Sequence, residues 1–268
     1  MASAPSPAVR YGMRFVALAY LAILLVVPVG LVAWRTFENG LGPVWDALSS
    51  PFATHAFTVT LQVALAAVVL NTVFGLIISL LLVRHEFPGK RVLNLLIDLP
   101  LAVSPVIVGL ALILVYGRLE PVGRWLDDRG VQIIFAQPGM VMATIFVSLP
   151  LVVRAVVPVL EEVGIEQEQA AWTLGASPVQ TFRRITLPAI RWGLAYGVLL
   201  SLARALGEFG AVAVVSGRIR GRTQTLTLFV QERFQNLDEQ AAYAASFALA
   251  AVAVIALIAM NVFRPKEP

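Results

Sequence analysis

"EQEQAAWTLGASPVQTFRRITLP", Glu166 to Pro188, is the longest polar stretch lying between two long apolar ones, and its punctuation decides how the rest of the chain is read. Glu161 to Leu174 is rich in Glu, Gln and Ala, which favour helix, and its acids lie toward the start, where the helix dipole favours them. Gly175 follows where a left-handed C-cap would sit. Ser177-Pro178 reads as an N-cap with proline at the first helical position. A second short helix would carry Val179, Phe182 and Ile185 on one side and Arg183 and Arg184 on the other, with Pro188 expected to end it. The pattern fits two short helices lying along a membrane. They either connect two spans or offer a docking surface to a soluble partner.

The composition around this stretch points to a membrane protein. Of 268 residues, 59% are hydrophobic and 13% charged, about half the charged share of an ordinary soluble domain, and the mean hydropathy is +0.83. Cysteine is absent and only His55 and His85 are present, so thiolate or histidine-based metal sites and cysteine nucleophiles are excluded. The net charge of +4 is better explained by basic flanks on membrane spans than by nucleic acid.

A bilayer core of about 30 Å takes roughly 20 apolar residues in a helix, and backbone groups in lipid must be satisfied within the span. Six stretches qualify: Phe15–Trp34, Phe57–Val83, Leu99–Gly117, Val131–Val153, Trp192–Gly217 and Gln240–Phe263. The expected fold is therefore an all-α membrane protein of six transmembrane helices. The first stretch is too long for a signal-peptide core and reads as a retained helix. Arg10 and Arg14 before helix 1, and Arg84, Lys90 and Arg91 after helix 2, favour a cytoplasmic N-terminus, although basic residues divide almost evenly over all loops. Residues 1–14 would then be a cytoplasmic segment, 15–263 the transmembrane domain, 161–188 a cytoplasmic loop between helices 4 and 5, and 264–268 a cytoplasmic tail.

The polar stretch resembles the EAA loop of ABC importer permeases, in which EAA, three residues, Gly, nine residues, Ile, one residue and Leu-Pro follow in order. Ala170, Ala171, Gly175, Ile185, Leu187 and Pro188 stand at the matching positions. Gln169 stands where the family has its Glu; Glu168, one residue earlier, points about 100° away on a helix. "RALGEFGAVAVVSG" (Arg204–Gly217), "DLPLAVSPVIVGL" (Asp98–Leu110) and "FAQPGMV" (Phe135–Val141) resemble sulfate and molybdate permeases. "HEFPGKR" (His85–Arg91) and "VSGRIRGRTQTLTL" (Val215–Leu228) are most similar to the W-type subunit of sulfate/thiosulfate importers (CysW type). The resemblance implies a non-catalytic permease of the bacterial inner membrane that binds no cofactor itself. Its implied partners are a T-type sister permease, two copies of a cytoplasmic ATPase that uses ATP and Mg, and a periplasmic sulfate-binding protein. It makes Glu168, Gln169, Ala170, Ala171, Gly175, Ile185, Leu187 and Pro188 the candidate ATPase-coupling residues. The helix 5 signature is shared with molybdate permeases, so molybdate or tungstate is the alternative cargo; the outer-loop match favours sulfate.

Energetics agree with such an assembly. Importing a dianion against a negative-inside potential costs about 4.6 kcal/mol per 100 mV, at about 2.3 for each charge. The only Gly-Lys pair, Gly89-Lys90, has no glycine five residues before it, so the chain has no Walker A loop of its own.

Charges inside spans are costly and mark function or packing. Arg204 and Glu208, four apart on the fifth stretch, are expected to share a helix face and pair; they are either a packing pair or part of an anion path. Asp98 reads as a capping or interfacial residue and Arg154 as a snorkelling anchor. Ser104-Pro105 should kink helix 3. Gly193 and Gly197 permit close helix approach, against the sister subunit among other partners. Arg218, Arg220 and Arg222 are candidate outer-mouth contacts, or a solvated loop. A secondary anion transporter with Glu208 as proton carrier is the main rival, and it leaves the EAA spacing unexplained. An intramembrane enzyme would need a base beside Ser104, Ser148 or Ser201, and none is assignable.

Overall fold

The computed structural model describes residues 7–263, all of whose long elements are helices. The tail at 264–268 and residues 1–6 of the N-terminal segment lie outside the described residues. Helices α1 (Pro7–Leu21) and α2 (Val27–Phe37) join through a widened π turn, Ala22–Val26, into one apolar rod. A surface helix α3 (Leu41–Ser49) leads to the long α4 (Pro51–Arg84), whose N-cap Ser50 accepts the N–H of Ala53. Then come α5 (Lys90–Ala102), α6 (Pro105–Tyr116), the short α7 (Pro121–Asp127) and α8 (Gln137–Val163). The polar stretch folds as α9 (Glu166–Thr173) and α10 (Pro178–Thr181), the latter running through a π turn, Phe182–Thr186, into α11 (Leu187–Leu206). The chain closes with α12 (Gly210–Val215), α13 (Leu226–Gln235) and α14 (Glu239–Phe263).

Among the described residues, five helices are long and apolar enough to cross a membrane, or six if the bent pair α5 and α6 counts as one span. The core is built on α4, α8 and α11. Val152, Val156, Leu160 and Ile190 close one end of it. Val59, Val63, Met140, Ala143 and Val147 close the other, together with Val212 and Val215 of α12. Gly193 and Gly197 do permit close approach, but within the chain: a Cβ at Gly193 would lie 2.7 Å from Val159 Cγ2, and one at Gly197 3.0 Å from the Val152 Cα. Asn71, fully buried on α4, donates through Nδ2 to Ser148 Oγ at 2.8 Å and Ser201 Oγ at 3.3 Å. This amide is the partner of two serines that the sequence left unexplained, and it links all three core helices where lipid offers no alternative hydrogen bond.

Four expectations change. The third stretch is not a kinked helix but a broken one: α5 and α6 are bent by 114°, with Val103 and Ser104 extended ahead of Pro105. The fourth begins at Gln137 rather than Val131 and passes both Pro150 and Pro158 before ending at Val163. The fifth ends at Leu206, and residues 207–209 separate it from α12. Pro188 does not end a helix: a single helical rod runs Pro178–Leu206. The reason is shared with Val27-Pro28, since both π turns stand immediately ahead of an apolar-Pro pair. Proline lacks an N–H and clashes with the carbonyl four residues back. A π turn widens the ladder there, with Leu187 donating to the Phe182 carbonyl and Val27 to that of Ala22.

Candidate functional site

The two broken spans meet each other. Ala205 and Leu206, at the end of α11, pack on Ala64 and Val68, midway along α4. Just beyond, Gly210 approaches Pro105 so closely that a Cβ would lie 3.0 Å from the proline's Cβ, while a Cβ at Gly109 of α6 would lie 2.9 Å from the Ala211 carbonyl. Non-helical backbone at such depth survives only when buried in protein or beside a wet cavity. Here side chains take up two of its polar groups. Glu208, 3% exposed, accepts the Ala211 N–H through Oε1 at 2.9 Å, and its own carbonyl accepts from Thr227 Oγ1 at 3.0 Å.

Arg204 and Glu208 pair as expected, Nη1 to Oε2 at 2.7 Å, but not on one continuous helix: Arg204 is in the last turn of α11 and Glu208 in the break. The pair is lopsided. The Glu208 side chain is 2% exposed and that of Arg204 36%, so the guanidinium has an open side and the carboxylate does not. The sequence signal for the break was the glycine pair of "GEFG", Gly207 to Gly210, read instead as part of a straight helix.

At one end of the bundle the polar stretch forms a rigid hairpin. Gly164, at φ +69°, ends α8 and cuts the expected Glu161–Leu174 helix in two. After α9, Gly175 takes φ +81°; its N–H reaches the Trp172 carbonyl at 3.0 Å and the Ala176 N–H that of Ala171 at 3.0 Å, a Schellman closure. Ser177 and Gln180 then form a reciprocal capping box around Pro178. Outside the hairpin lie Trp172, Leu174 and Val179, apolar side chains left exposed, Leu174 at 88%. Gln169, Ala170, Gly175 and Pro188 are exposed, Ile185 and Leu187 half-buried, and Ala171 buried. Glu168 is turned inward, 7% exposed, and bound by Arg84.

Asp98 does not cap a helix. It sits within α5 and takes both Nε (2.8 Å) and Nη2 (2.5 Å) of Arg154 on α8. Arg154 therefore fastens the bent pair to the core. At the opposite end of the bundle, Arg218, Arg220 and Arg222 are exposed but not equivalent. Arg220 is paired with Glu232, which also accepts from Gln224. Arg218 adopts φ +53° and donates from Nε to the Ala213 carbonyl at 3.3 Å. Arg222 makes no side-chain hydrogen bond or ion pair among the described residues.

Residues 71–267 match the family model described as the binding-protein-dependent transport system inner membrane component. The sulfate transport system permease protein CysW of Synechocystis is 47% identical over 258 residues, 96% of this chain and 94% of that one. The CysT permease of Salmonella typhimurium is 35% identical over 93% of this chain and 90% of its own. Among solved structures, a bacterial ABC transporter involved in the import of the acidic polysaccharide alginate superimposes with a TM-score of 0.78 at 17% identity, covering 94% of this chain and 93% of that chain, a likeness of fold alone. With the EAA spacing, the broken spans and a match to the W type over nearly its full length, this chain belongs to the binding-protein-dependent inner membrane transport components and, among them, to the CysW-type sulfate transport permeases.

Proposed function

We propose that the chain is the permease subunit through which sulfate or thiosulfate enters the cell, driven by ATP hydrolysis in a partner subunit. The observation that carries this reading is the Glu166–Pro188 hairpin: a Schellman closure and a capping box hold it rigid while Trp172, Leu174 and Val179 stay exposed. A loop that seats in a cleft of an ATPase uses them as anchors. The hairpin, residues 161–188, then faces the cytoplasm with both termini, and two ATPase subunits and a T-type sister permease complete the assembly. A periplasmic sulfate-binding protein delivers cargo at the opposite end, beside Arg218, Arg220 and Arg222. The junction of broken spans, with Arg204 and Glu208, lies on the anion's path, where the open side of the guanidinium offsets negative charge.

Reconstitution tests the reading. Proteoliposomes holding the chain with its co-encoded sister permease and ATPase should take up labelled sulfate only with ATP inside and binding protein outside, and a protonophore should leave uptake intact. Uptake without ATP that a protonophore abolishes would instead establish a proton-coupled route through Glu208. Molybdate or tungstate displacing sulfate from the binding protein with higher affinity would assign the cargo to the molybdate class.

A further inference from the structure

We propose that Arg84 is the positioning residue that ties the coupling hairpin to the transmembrane core, and that Glu168 acts inward through it rather than outward on the ATPase. This rests on the reading of the hairpin as the ATPase contact.

The geometry is a hub. Arg84 is the last residue of α4, with its side chain 11% exposed. Its Nε donates to Glu168 Oε2 at 3.1 Å and its Nη2 to Oε1 at 3.2 Å, a two-point grip on α9. The same Nη2 donates to the Gly164 carbonyl at 2.7 Å, and Nη1 to the Leu160 carbonyl at 3.2 Å. These are terminal carbonyls of α8, which have no helical partner of their own. Glu168 Oε1 also accepts from Thr186 Oγ1 at 2.8 Å, and Thr186 belongs to the π turn that opens the fifth span. One buried ion pair thus joins the ends of α4 and α8, the hairpin helix α9 and the start of the α11 rod.

Such a hub transmits displacement. A buried carboxylate is tolerated only while its partners stay in place, so a push on α9 must carry the ends of α4, α8 and α11 with it or break the pair. Packing alone holds α9 weakly: Glu168 and Ala171 are its only buried residues. Only arginine fits the role, because a planar fork supplies two bonds to a carboxylate with donors left for the carbonyls, whereas lysine is a point charge.

Arg84→Lys keeps the charge and removes the fork, so Glu168 is not stranded. In the purified complex of this chain with its sister permease, ATPase and sulfate-loaded binding protein, the ratio of stimulated to unstimulated hydrolysis should fall about tenfold, the order expected for one charge-assisted hydrogen bond lost. Amide exchange across residues 165–176 should rise while that of α5 does not. Unchanged stimulation together with unchanged exchange overturns the proposal. Should this variant fail to assemble, the apolar pair Arg84→Met with Glu168→Leu, which strands no charge, decides on the same two readouts. Leu174→Asp tests the underlying reading separately, since it alters the exposed tip and leaves the hub intact. Loss of the ATPase with normal exchange protection supports docking through the hairpin. Retention of a coupled ATPase removes that reading, and the exchange result for Arg84→Lys then stands alone in deciding whether the hub holds the hairpin.

Discussion

Glu208 uses its two oxygens differently, one for the α12 N-terminus and one for Arg204, and that division makes its role testable. Arg204→Leu leaves a carboxylate buried without its counter-ion, a loss toward the lower end of about 3–5 kcal/mol because the guanidinium is itself partly open to solvent. Glu208→Gln keeps an acceptor for Ala211 and removes the charge. If the pair only packs the helix break, Arg204→Leu with Glu208→Gln should assemble and transport normally. If Arg204 offsets anion charge, the double variant should assemble normally and lose most ATP-driven uptake per assembled complex. The second outcome is expected on the proposed anion path. Single residues were read unevenly from sequence. The Arg204–Glu208 pairing follows from i,i+4 spacing, whereas Glu168 could not be assigned a side: its partner Arg84 is 84 residues away, and one helical step separates the buried Glu168 from the exposed Gln169.

At the scale of elements, the hairpin was the most legible part, because its stops are chemical. Gly175 takes the left-handed conformation that its position after Leu174 demanded, and Ser177-Pro178 starts a helix as an N-cap and N1 pair should. A Cβ at Gly175 would meet nothing within 4 Å, so within this chain the effect of substitution there comes from the backbone and not from a clash. Gly175→Val should cost about 1–2 kcal/mol locally by forcing a β-branched residue to positive φ. It should insert in the membrane normally but lose ATPase association or coupled hydrolysis. Gly175→Asn, which tolerates that region, should be much milder. Equal behaviour of the two variants in ATPase co-purification would show that the turn conformation is not what docking requires. The breaks within the spans were the least legible elements. Hydropathy averages over Val103–Ser104 and Gly207–Phe209 because long apolar stretches lie on both sides of each break. The glycines of GEFG and the Ser104-Pro105 pair hint at the breaks, and tertiary contact, such as Gly210 against Pro105, shows that two helices end there. Pro188 was misread for the opposite reason: a proline is a strong local stop signal, and the π turn that accommodates it depends on the helix continuing on both sides.

Over the whole molecule, composition sufficed for the membrane class and nearly for the span count, while the ordering of charge required the fold. The three arginines Arg218, Arg220 and Arg222 look alike in sequence, and as a set they would raise the local concentration of an anion or steer an acidic protein surface. The fold separates them. Glu232 offsets the charge of Arg220, and Arg218 is held to the Ala213 carbonyl, so Arg222 is the arginine whose field is least compensated within the chain. Arg222→Gln and Arg220→Gln each remove one positive charge, so both should slow sulfate uptake at low ionic strength. Both defects should fade at high salt, because exposed charges are screened over about 8–10 Å near physiological ionic strength. Arg220→Gln frees Glu232 and adds local negative charge, so its own defect should also shrink with salt, and Arg220→Gln with Glu232→Gln should recover most of the loss. The measurement is the initial rate of ATP-driven uptake in proteoliposomes across a salt series with saturating ATP. A rate that does not depend on salt in any of these variants would return the three arginines to a solvated loop, and capture of the anion would then rest on the binding protein and on the Arg204 junction alone.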